Sequence, residues 1–189
     1  MSQIRYKYNW FGVSEIKDKI LTILSGSDKN TILEIGSFEG VSSVFFAENL
    51  LNHSESTLTC VDPFLTIDNN DHIDLLENVE KNFDYNTSIC KNSSKIIVKK
   101  TTSDNFFQTN TRNFNFIYID GSHECDIIRR DMENAFNVLE SGGIMWMDDY
   151  RGGSNDNIKN TIDGVLSKWL DKMHIFHIGY QIAIRKFSI

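Results

Sequence analysis

Two apolar runs that each end in a carboxylate constrain the fold of this chain more than any other feature. The first run covers residues 116–120, and the second covers residues 144–148 with Asp149 directly after it. Apolar runs of this length are typical of parallel strands that are buried on both faces. The C-terminal ends of such strands meet at one edge of an open α/β sheet, where ligands bind. The sequence therefore predicts that Asp120, Asp148 and Asp149 lie together at that edge.

Three carboxylates at one edge repel one another unless a cation joins them. Aspartate oxygens are hard ligands and favour Mg²⁺ or Mn²⁺ over zinc. We therefore predict a divalent-metal site formed by Asp120, Asp148 and Asp149. His123 follows Asp120 closely and is the candidate catalytic base, because an unperturbed imidazole titrates near neutral pH. Simpler interpretations stay open: the paired aspartates cap a helix, Asp120 faces a cofactor without metal, or His123 is structural or a metal ligand.

Strand and helix patterns alternate along the whole chain, which predicts a Rossmann-like, doubly wound, mainly parallel sheet. The predicted sheet has seven strands in total. The C-terminal hairpin adds a strand that runs antiparallel to the others. The predicted strands cover residues 31–35, 57–62, 95–100, 116–120, 144–147, 174–177 and 180–185. The predicted helices cover residues 13–24, 41–51, 73–82, 103–108, 128–141 and 158–169, with Gly142 and Gly143 closing the fifth.

Length and charge narrow the class of protein. A chain of 189 residues with no recognisable linker predicts one domain, with an N-terminal helical or lid segment at 1–30 and a cofactor-binding core at 31–189. The net charge of −7 and the absence of a lysine-arginine cluster argue against a nucleic-acid or anionic-membrane partner. No apolar run has the length of a membrane span or the form of a signal peptide, so we expect a cytoplasmic protein.

A glycine loop at residues 34–40 joins the first strand to the first core helix, and Asp62 ends the second strand. An acid at that position suits the two hydroxyls of a ribose. The loop lacks the GxGxxG pattern of dinucleotide sites, and Gly40 is followed by Val41 instead of the lysine of a P-loop. Glu39 within the loop would repel a pyrophosphate. A cofactor with a ribose and no phosphate fits better, which indicates S-adenosylmethionine.

Together these motifs resemble the class I S-adenosylmethionine-dependent methyltransferases. Within that class the chain is similar to the metal-dependent O-methyltransferases of the catechol and macrocin types, over residues 31–186. The resemblance implies methyl transfer to a hydroxyl. It also implies a set of cofactor-binding residues: Glu34, Gly36, Ser37, Phe38, Gly40, Ser42, Asp62, Pro63, Ser103, Asp104, Asp120 and Gly121.

By this resemblance the loop glycines accommodate the methionine part of the cofactor, and Ser42 contacts its carboxylate. Asp62 holds the ribose hydroxyls, and Ser103 with Asp104 borders the adenine. The three metal ligands correspond to Asp120, Asp148 and Asp149, where aspartate at the last position follows the macrocin type. The catechol type has a lysine base at the position of His123, whereas the macrocin type has an aspartate base at the position of Ser122. The identity of the base stays open for that reason, with His123 and Asp120 as the candidate catalytic residues.

The resemblance leaves the acceptor undefined, and we expect a hydroxyl on a small molecule or glycan. A homodimer is expected by analogy with the resembling families. Two other hypotheses stay open. One is a metal-independent methyltransferase that uses the acidic cluster to recognise its substrate, and the other is a catalytically silent cofactor-binding module.

Overall fold

The computed structural model describes residues 3–64, 78–152 and 156–188. Within these ranges the chain forms one sheet of seven strands in the order β3-β2-β1-β4-β5-β7-β6. The strands are β1 (Thr31–Ile35), β2 (Thr57–Val61), β3 (Ile96–Lys99), β4 (Phe114–Ile119), β5 (Leu139–Met147), β6 (Met173–Ile178) and β7 (Ile182–Lys186).

The direction of the strands confirms the predicted fold class. β1 pairs in parallel with both β2 and β4, and β4 pairs in parallel with β5. β7 runs antiparallel between β5 and β6. The strand order reverses between β1 and β4, which makes the crevice outside their C-terminal ends the expected ligand site.

Helices cover both faces of the sheet. They are α1 (Ile16–Ile23), α2 (Val41–Leu50), α3 (Val79–Ile89), α4 (Ser103–Thr109), α5 (Cys125–Val138) and α6 (Asn157–Leu166). One apolar core includes Met132 and Ala135 of α5, and the other includes Phe46 of α2 and Trp146 of β5. Among the described residues, no helix is both long and apolar enough to cross a membrane.

The boundary between α5 and β5 differs from the prediction. The helix ends at Val138, and the strand begins at Leu139, ahead of the two glycines that were expected to close the helix. Gly142 has a φ of +76°, and a Cβ on Gly143 would lie 2.9 Å from the Glu140 carbonyl oxygen. The glycines therefore make a tight irregularity inside β5, where its pairing with β4 shifts register.

The helix that was predicted at residues 73–82 lies only partly within the described residues. Residues 65–77 lie outside the described ranges, and the described helix α3 runs from Val79 to Ile89. Its sequence is polar, but Phe83 and Asn86 are fully buried on one face. The Asn86 amide donates to the carbonyl oxygens of Arg5 and Glu39, so a polar side chain occupies a buried position at little cost. A search for apolar periodicity misses a helix of this kind.

The segment that precedes α1 is attached to the sheet by Gln181. The Gln181 side-chain oxygen accepts from the Ile16 backbone at 3.0 Å and from the Trp146 indole at 2.8 Å. Its amide group donates to the Ser14 hydroxyl at 2.7 Å. These buried bonds fix the start of α1 above the C-terminal strands, and they bring the aromatic residues before it to the ligand edge of the sheet.

Candidate active site

A cavity of about 630 Å³ opens at the C-terminal edge of the parallel strands. The loops that follow β1, β2, β3, β4 and β5 all contribute to its wall, together with α5, the β6–β7 turn and the N-terminal segment. Most of the residues that the sequence singled out line it: Gly36, Ser37, Phe38, Ser42, Asp62, Pro63, Ser103, Asp104, Asp120, Gly121, His123, Asp148 and Asp149. The structure therefore brings the glycine loop with Asp62 and the carboxylates beside His123 to one cavity.

The β1–α2 loop has a shape that only glycine permits at residue 36. Gly36 has a φ of +83°, and a Cβ there would lie 1.9 Å from the backbone oxygen of Asp120. The loop thus packs directly on the backbone that follows β4. Gly40 has a φ of +79° and caps α2, but it does not line the cavity. A glycine at this cap permits the left-handed backbone from which α2 begins, and contact of Gly40 with the cofactor stays a prediction.

Glu34 supports this loop from behind and does not face the cavity. Its side chain is fully buried and accepts from the hydroxyls of Ser37 at 2.7 Å, Ser42 at 2.6 Å, and Ser43. Burial raises the pKa of Glu34, and the three hydroxyls oppose that effect. The structure thus places Glu34 beneath the loop, where its contacts support the shape of the loop, and cofactor binding by Glu34 stays a prediction.

Asp62 connects the same loop to the end of β2. One of its oxygens accepts from the backbone N–H groups of Ser37 and Phe38, each at 2.9 Å, and the other accepts from Phe64 at 2.7 Å. Burial raises the pKa of this carboxyl, and the three backbone bonds counteract it. A carboxylate has about four acceptor sites, so Asp62 keeps capacity for one ligand hydroxyl.

Two further acids, Asp104 of α4 and Asp131 of α5, line the cavity. Asp104 forms a two-point ion pair with Arg130 of α5, with N–O distances of 3.1 and 2.9 Å. Asp131, the next residue of α5, also lines the cavity and is only 2% exposed. One of its carboxylate oxygens has no hydrogen-bond partner within the described residues. Burial raises the pKa of Asp131 to about 6.

The two carboxylates at the ends of β4 and β5 share one tyrosine. The Tyr118 hydroxyl lies 2.7 Å from Asp148 Oδ2 and 3.1 Å from Asp120 Oδ2. Burial and the negative charge of Asp148 hold the pKa of Asp120 well above its ordinary value. Two carboxylates at such a short separation favour a shared proton or a bound cation.

Asp149 is turned away from its neighbour toward His123 and Tyr180. It has a φ of +54°, and its Oδ2 lies 2.7 Å from His123 Nε2. The Tyr180 hydroxyl from the β6–β7 turn donates to its other oxygen. The bond to Asp149 raises the pKa of His123, and the same bond lowers the pKa of Asp149. Over the described ranges, no three His, Cys, Asp or Glu side chains converge in a geometry that holds a metal ion.

Sequence reasoning missed several residues that complete the site. Tyr118 had a usable signal, because residues two apart on a strand share a face and it precedes Asp120 by two. Asp131 had one as well, since it interrupts the buried face of α5. Tyr180 had no local signal. Trp10 belongs to the N-terminal segment that was predicted as helical or lid, and it stacks on Phe38 with ring centroids 4.9 Å apart and forms part of the cavity wall, although it is 58% exposed.

Comparison with known proteins adds a family and a set of related folds. A family model described as a methyltransferase domain matches residues 33–150, which run from β1 to just past Asp149. No curated protein sequence matches the chain significantly.

Several solved structures share the fold. A candidate rRNA methylase from Clostridium thermocellum has a TM-score of 0.71 at 13% identity and covers 99% of both chains. The O-methyltransferase TomG from Streptomyces achromogenes, in complex with SAM, has a TM-score of 0.67 at 13% identity, over 94% of this chain and 82% of its own. The O-methyltransferase from Bacillus cereus, in complex with SAH, has a TM-score of 0.59 at 15% identity, over 93% and 82%. At these identities the likeness shows the fold alone.

Proposed function

The chain belongs to the methyltransferase-domain family, and on that premise we propose that it transfers the methyl group of S-adenosylmethionine to a hydroxyl group. The observation that carries this proposal is the composition of one cavity. One half has the glycine loop and Asp62, and the other half has a cluster of carboxylates beside His123. O-methyltransferases bound to SAM or SAH among the similar folds support the same cofactor.

The charge of the cavity supports a cofactor without phosphate. Among the described residues that line it there is no lysine or arginine, while Asp62, Asp104, Asp120 and Asp131 all contribute carboxyl groups. A phosphate would meet repulsion on every side, whereas S-adenosylmethionine carries a positive sulfonium and a positive ammonium group.

In the proposed reaction the acceptor oxygen attacks the methyl carbon in line with the sulfur. The C–O bond forms as the C–S bond breaks, and the sulfur keeps the electron pair and becomes a neutral thioether. The hydroxyl proton must leave, and His123 is the proposed base. Its Nε2–H donates to Asp149, so the tautomer leaves the lone pair of Nδ1 free to take that proton. Binding both reactants in one cavity would hold them in line, which would remove much of the entropic barrier.

We further propose that Asp120, Asp148 and Asp149 hold Mg²⁺ or Mn²⁺ when the enzyme is active. A divalent ion bound there would lower the pKa of an acceptor hydroxyl. Asp120 and Asp148 supply the carboxylate oxygens that a hard cation prefers, and they lie 3.1 and 2.7 Å from the single hydroxyl of Tyr118, whereas Asp149 is bonded to His123 and Tyr180. Asp149 would have to exchange His123 or Tyr180 for the ion.

A second candidate has a specific observation in its favour. Both oxygens of Asp149 are bonded, one to His123 and the other to Tyr180. This arrangement orients the imidazole in the manner of an acid–base pair that needs no metal. The second candidate is therefore a metal-independent methyltransferase in which Asp120 and Asp148 recognise the substrate.

The test is calorimetric titration with S-adenosylmethionine in EDTA and again with Mg²⁺, followed by turnover assays on a panel of hydroxyl compounds. Cofactor binding in both buffers, with turnover only in Mg²⁺, supports the metal-dependent enzyme. Turnover that EDTA leaves unchanged supports the second candidate. If the cofactor binds in neither buffer, both candidates fail.

The acceptor is proposed to be a small molecule or glycoside. The absence of a basic residue among the described cavity-lining side chains gives no support to a nucleic-acid substrate. The acceptor panel should nevertheless contain an RNA oligonucleotide, since an rRNA methylase candidate shares the fold. Methylation of the RNA alone would overturn this part of the proposal.

A further inference from the structure

Tyr118 joins the two carboxylates at the ends of β4 and β5, although it belongs to the buried core. Its side chain is fully buried, and its hydroxyl lies 2.7 Å from Asp148 Oδ2 and 3.1 Å from Asp120 Oδ2. A core position on a parallel strand is ordinarily filled by an apolar side chain, as it is at Phe116 two residues earlier. Packing alone therefore does not account for the hydroxyl of Tyr118.

The two carboxylates depend on Tyr118 to different degrees. Asp148 has a second donor, because its Oδ1 accepts from the backbone N–H of Asp149 at 2.7 Å. Within the described residues, Tyr118 is the only donor that forms a hydrogen bond with the Asp120 side chain. A hydroxyl has one proton to donate, so it cannot balance two negative charges. Tyr118 therefore fixes where the two carboxylates point and leaves most of their charge uncompensated.

The ring of Tyr118 is fixed in turn by two phenylalanines. Phe46 of α2 packs against it edge to face, with ring centroids 5.4 Å apart and an interplanar angle of 72°. Phe11 of the N-terminal segment packs in the same manner, at 6.2 Å and 78°. A side chain that is locked by packing can hold a site residue in a defined orientation. The hydroxyl of Tyr118 thus extends the rigidity of the core to the two carboxylates.

A cation site requires support of this kind. Carboxylates that bind a metal are themselves held by hydrogen bonds, and the loss of one such partner weakens metal affinity by roughly 10- to 100-fold. Tyr118 gives this support to two of the three proposed ligands, Asp120 and Asp148. The third, Asp149, is held separately by His123. Since Tyr118 does not line the cavity, its hydroxyl can act on an ion only through the two carboxylates.

We propose that Tyr118 is a positioning residue that orients Asp120 and Asp148 for a divalent cation. This inference rests on the proposed function, since it assumes that Mg²⁺ or Mn²⁺ binds these carboxylates. The loss of the hydroxyl should therefore weaken ion binding far more than cofactor binding, because the predicted cofactor contacts lie mainly on the β1–α2 loop and at Asp62.

The test compares metal binding by the wild-type protein and by Tyr118→Phe, which keeps the ring and removes the hydroxyl. Calorimetric titration with Mg²⁺, with and without S-adenosylhomocysteine, should show an affinity for the ion that is roughly 10- to 100-fold lower in the variant. The affinity for S-adenosylhomocysteine should stay within about threefold of the wild-type value. The matched control is Tyr150→Phe, which removes a hydroxyl that donates to Asp163 at 2.8 Å and does not line the cavity. This control should bind Mg²⁺ as the wild type does.

Two further measurements distinguish positioning from a general effect on folding. Paramagnetic resonance of bound Mn²⁺ reports the symmetry of its ligands, so the spectrum at saturation should change in Tyr118→Phe and stay the same in Tyr150→Phe. Thermal unfolding with and without Mg²⁺ should show that a given concentration of the ion stabilises Tyr118→Phe less than it stabilises the wild type. This measurement is informative even for a variant of lower stability, because each protein is compared with itself.

The outcomes separate this inference from the function on which it rests. If the wild type does not bind S-adenosylhomocysteine, the transferase proposal fails. If it binds that compound but neither Mg²⁺ nor Mn²⁺, the metal-dependent proposal fails and this inference fails with it. If Tyr118→Phe binds Mg²⁺ with wild-type affinity, the inference alone is overturned. An equal loss of Mg²⁺ affinity in Tyr150→Phe would also overturn it, because the loss would not be specific to the hydroxyl between the carboxylates.

Discussion

The two halves of the cavity hold their carboxylates in opposite ways. In the half beneath the β1–α2 loop, Glu34 accepts from three serine hydroxyls and Asp62 from three backbone N–H groups. In the half at the ends of β4 and β5, Asp120 and Asp148 share the hydroxyl of Tyr118. Glu34 and Asp62 in the first half are each held by three hydrogen bonds without a ligand, whereas the second half remains crowded with negative charge. The comparison suggests that the first half binds an invariant cofactor in a prearranged shape, while the second half is built for a charge that arrives with the reaction.

The largest expected effect on stability comes from disrupting the contact between Gly36 and the Asp120 backbone, which joins the two halves of the cavity. Gly36→Ala introduces a Cβ that would lie 1.9 Å from the Asp120 backbone oxygen, at a φ of +83°. The strain and the overlap should lower the free energy of unfolding by roughly 3–5 kcal/mol, as measured by denaturant titration. The control is Gly164→Ala in α6, where a Cβ meets nothing within 4 Å. That change should stabilise the protein by about 1 kcal/mol. Equal stability of the two variants would mean that the halves do not meet through Gly36.

A change confined to the second half should separate turnover from stability. Asp148→Ala is expected to reduce turnover by about 100-fold or more, and to leave the affinity for S-adenosylhomocysteine within about threefold. Its unfolding free energy should not fall, because the change removes a charge that repels Asp120. Calorimetry and thermal unfolding on one preparation measure both quantities, with Asp126→Ala as the control. A clear loss of stability would contradict the idea that this half is held under repulsion.

A carboxylate removed from the first half should lower the stability of the protein, whereas Asp148→Ala in the second half should not. Glu34→Ala leaves three buried serine hydroxyls without their acceptor and should lower the free energy of unfolding by roughly 2–4 kcal/mol. Cofactor affinity should fall with it, since the loop loses its support. Glu48→Ala, on the exposed side of α2, should change stability by less than about 0.5 kcal/mol. If Glu34→Ala is as stable as that control, the serine contacts do not hold the loop.

The first half was also the more predictable from sequence. Its glycine loop and Asp62 lie at strand ends, where chain order and backbone geometry determine position. The surroundings of Glu34 were not predictable, because a strand pattern does not say whether an acid faces a cavity or three serines beneath a loop. Strand alternation places Tyr118 on the face of Asp120, yet it does not reveal that the hydroxyl bridges two carboxylates.

The second half depends on contacts between distant segments, and local patterns carry little information about them. Asp149 meets Tyr180 across 31 residues, through a turn whose sequence shows nothing unusual. The partner of His123 is likewise set by the left-handed backbone of Asp149, which no periodicity predicts. The carboxylates were therefore found from sequence, while their bonding was found only in the structure.

The smallest expected effect concerns Asp131. It lies by position in the first half of the cavity, but burial raises the pKa of its carboxyl, as it does for Asp120 in the second half. For Asp131 the folded pKa of about 6 lies above the ordinary value of 3.8, chiefly because of burial, with Asp104 raising the pKa further and Ser103 and Arg130 opposing. A carboxyl whose pKa is raised by folding destabilises the protein once the unfolded chain ionises. Stability should therefore fall as pH rises from about 4 to about 6 and stay lower above that range.

Asp131→Asn should remove this loss. At neutral pH the variant should unfold with a higher free energy than the wild type, by at most about 3 kcal/mol from the separation of the two pKa values. Below about pH 4 the difference should vanish, because the wild-type carboxyl is then protonated in both states. Thermal unfolding across this pH range measures the effect, with Asp126→Asn as the control. A variant that is less stable at every pH would show that Asp131 is already satisfied by the fold. A variant whose gain in stability grows from about pH 4 and is complete above about pH 6 would show that the fold leaves the charge of Asp131 uncompensated, as it does for the carboxylates of the second half.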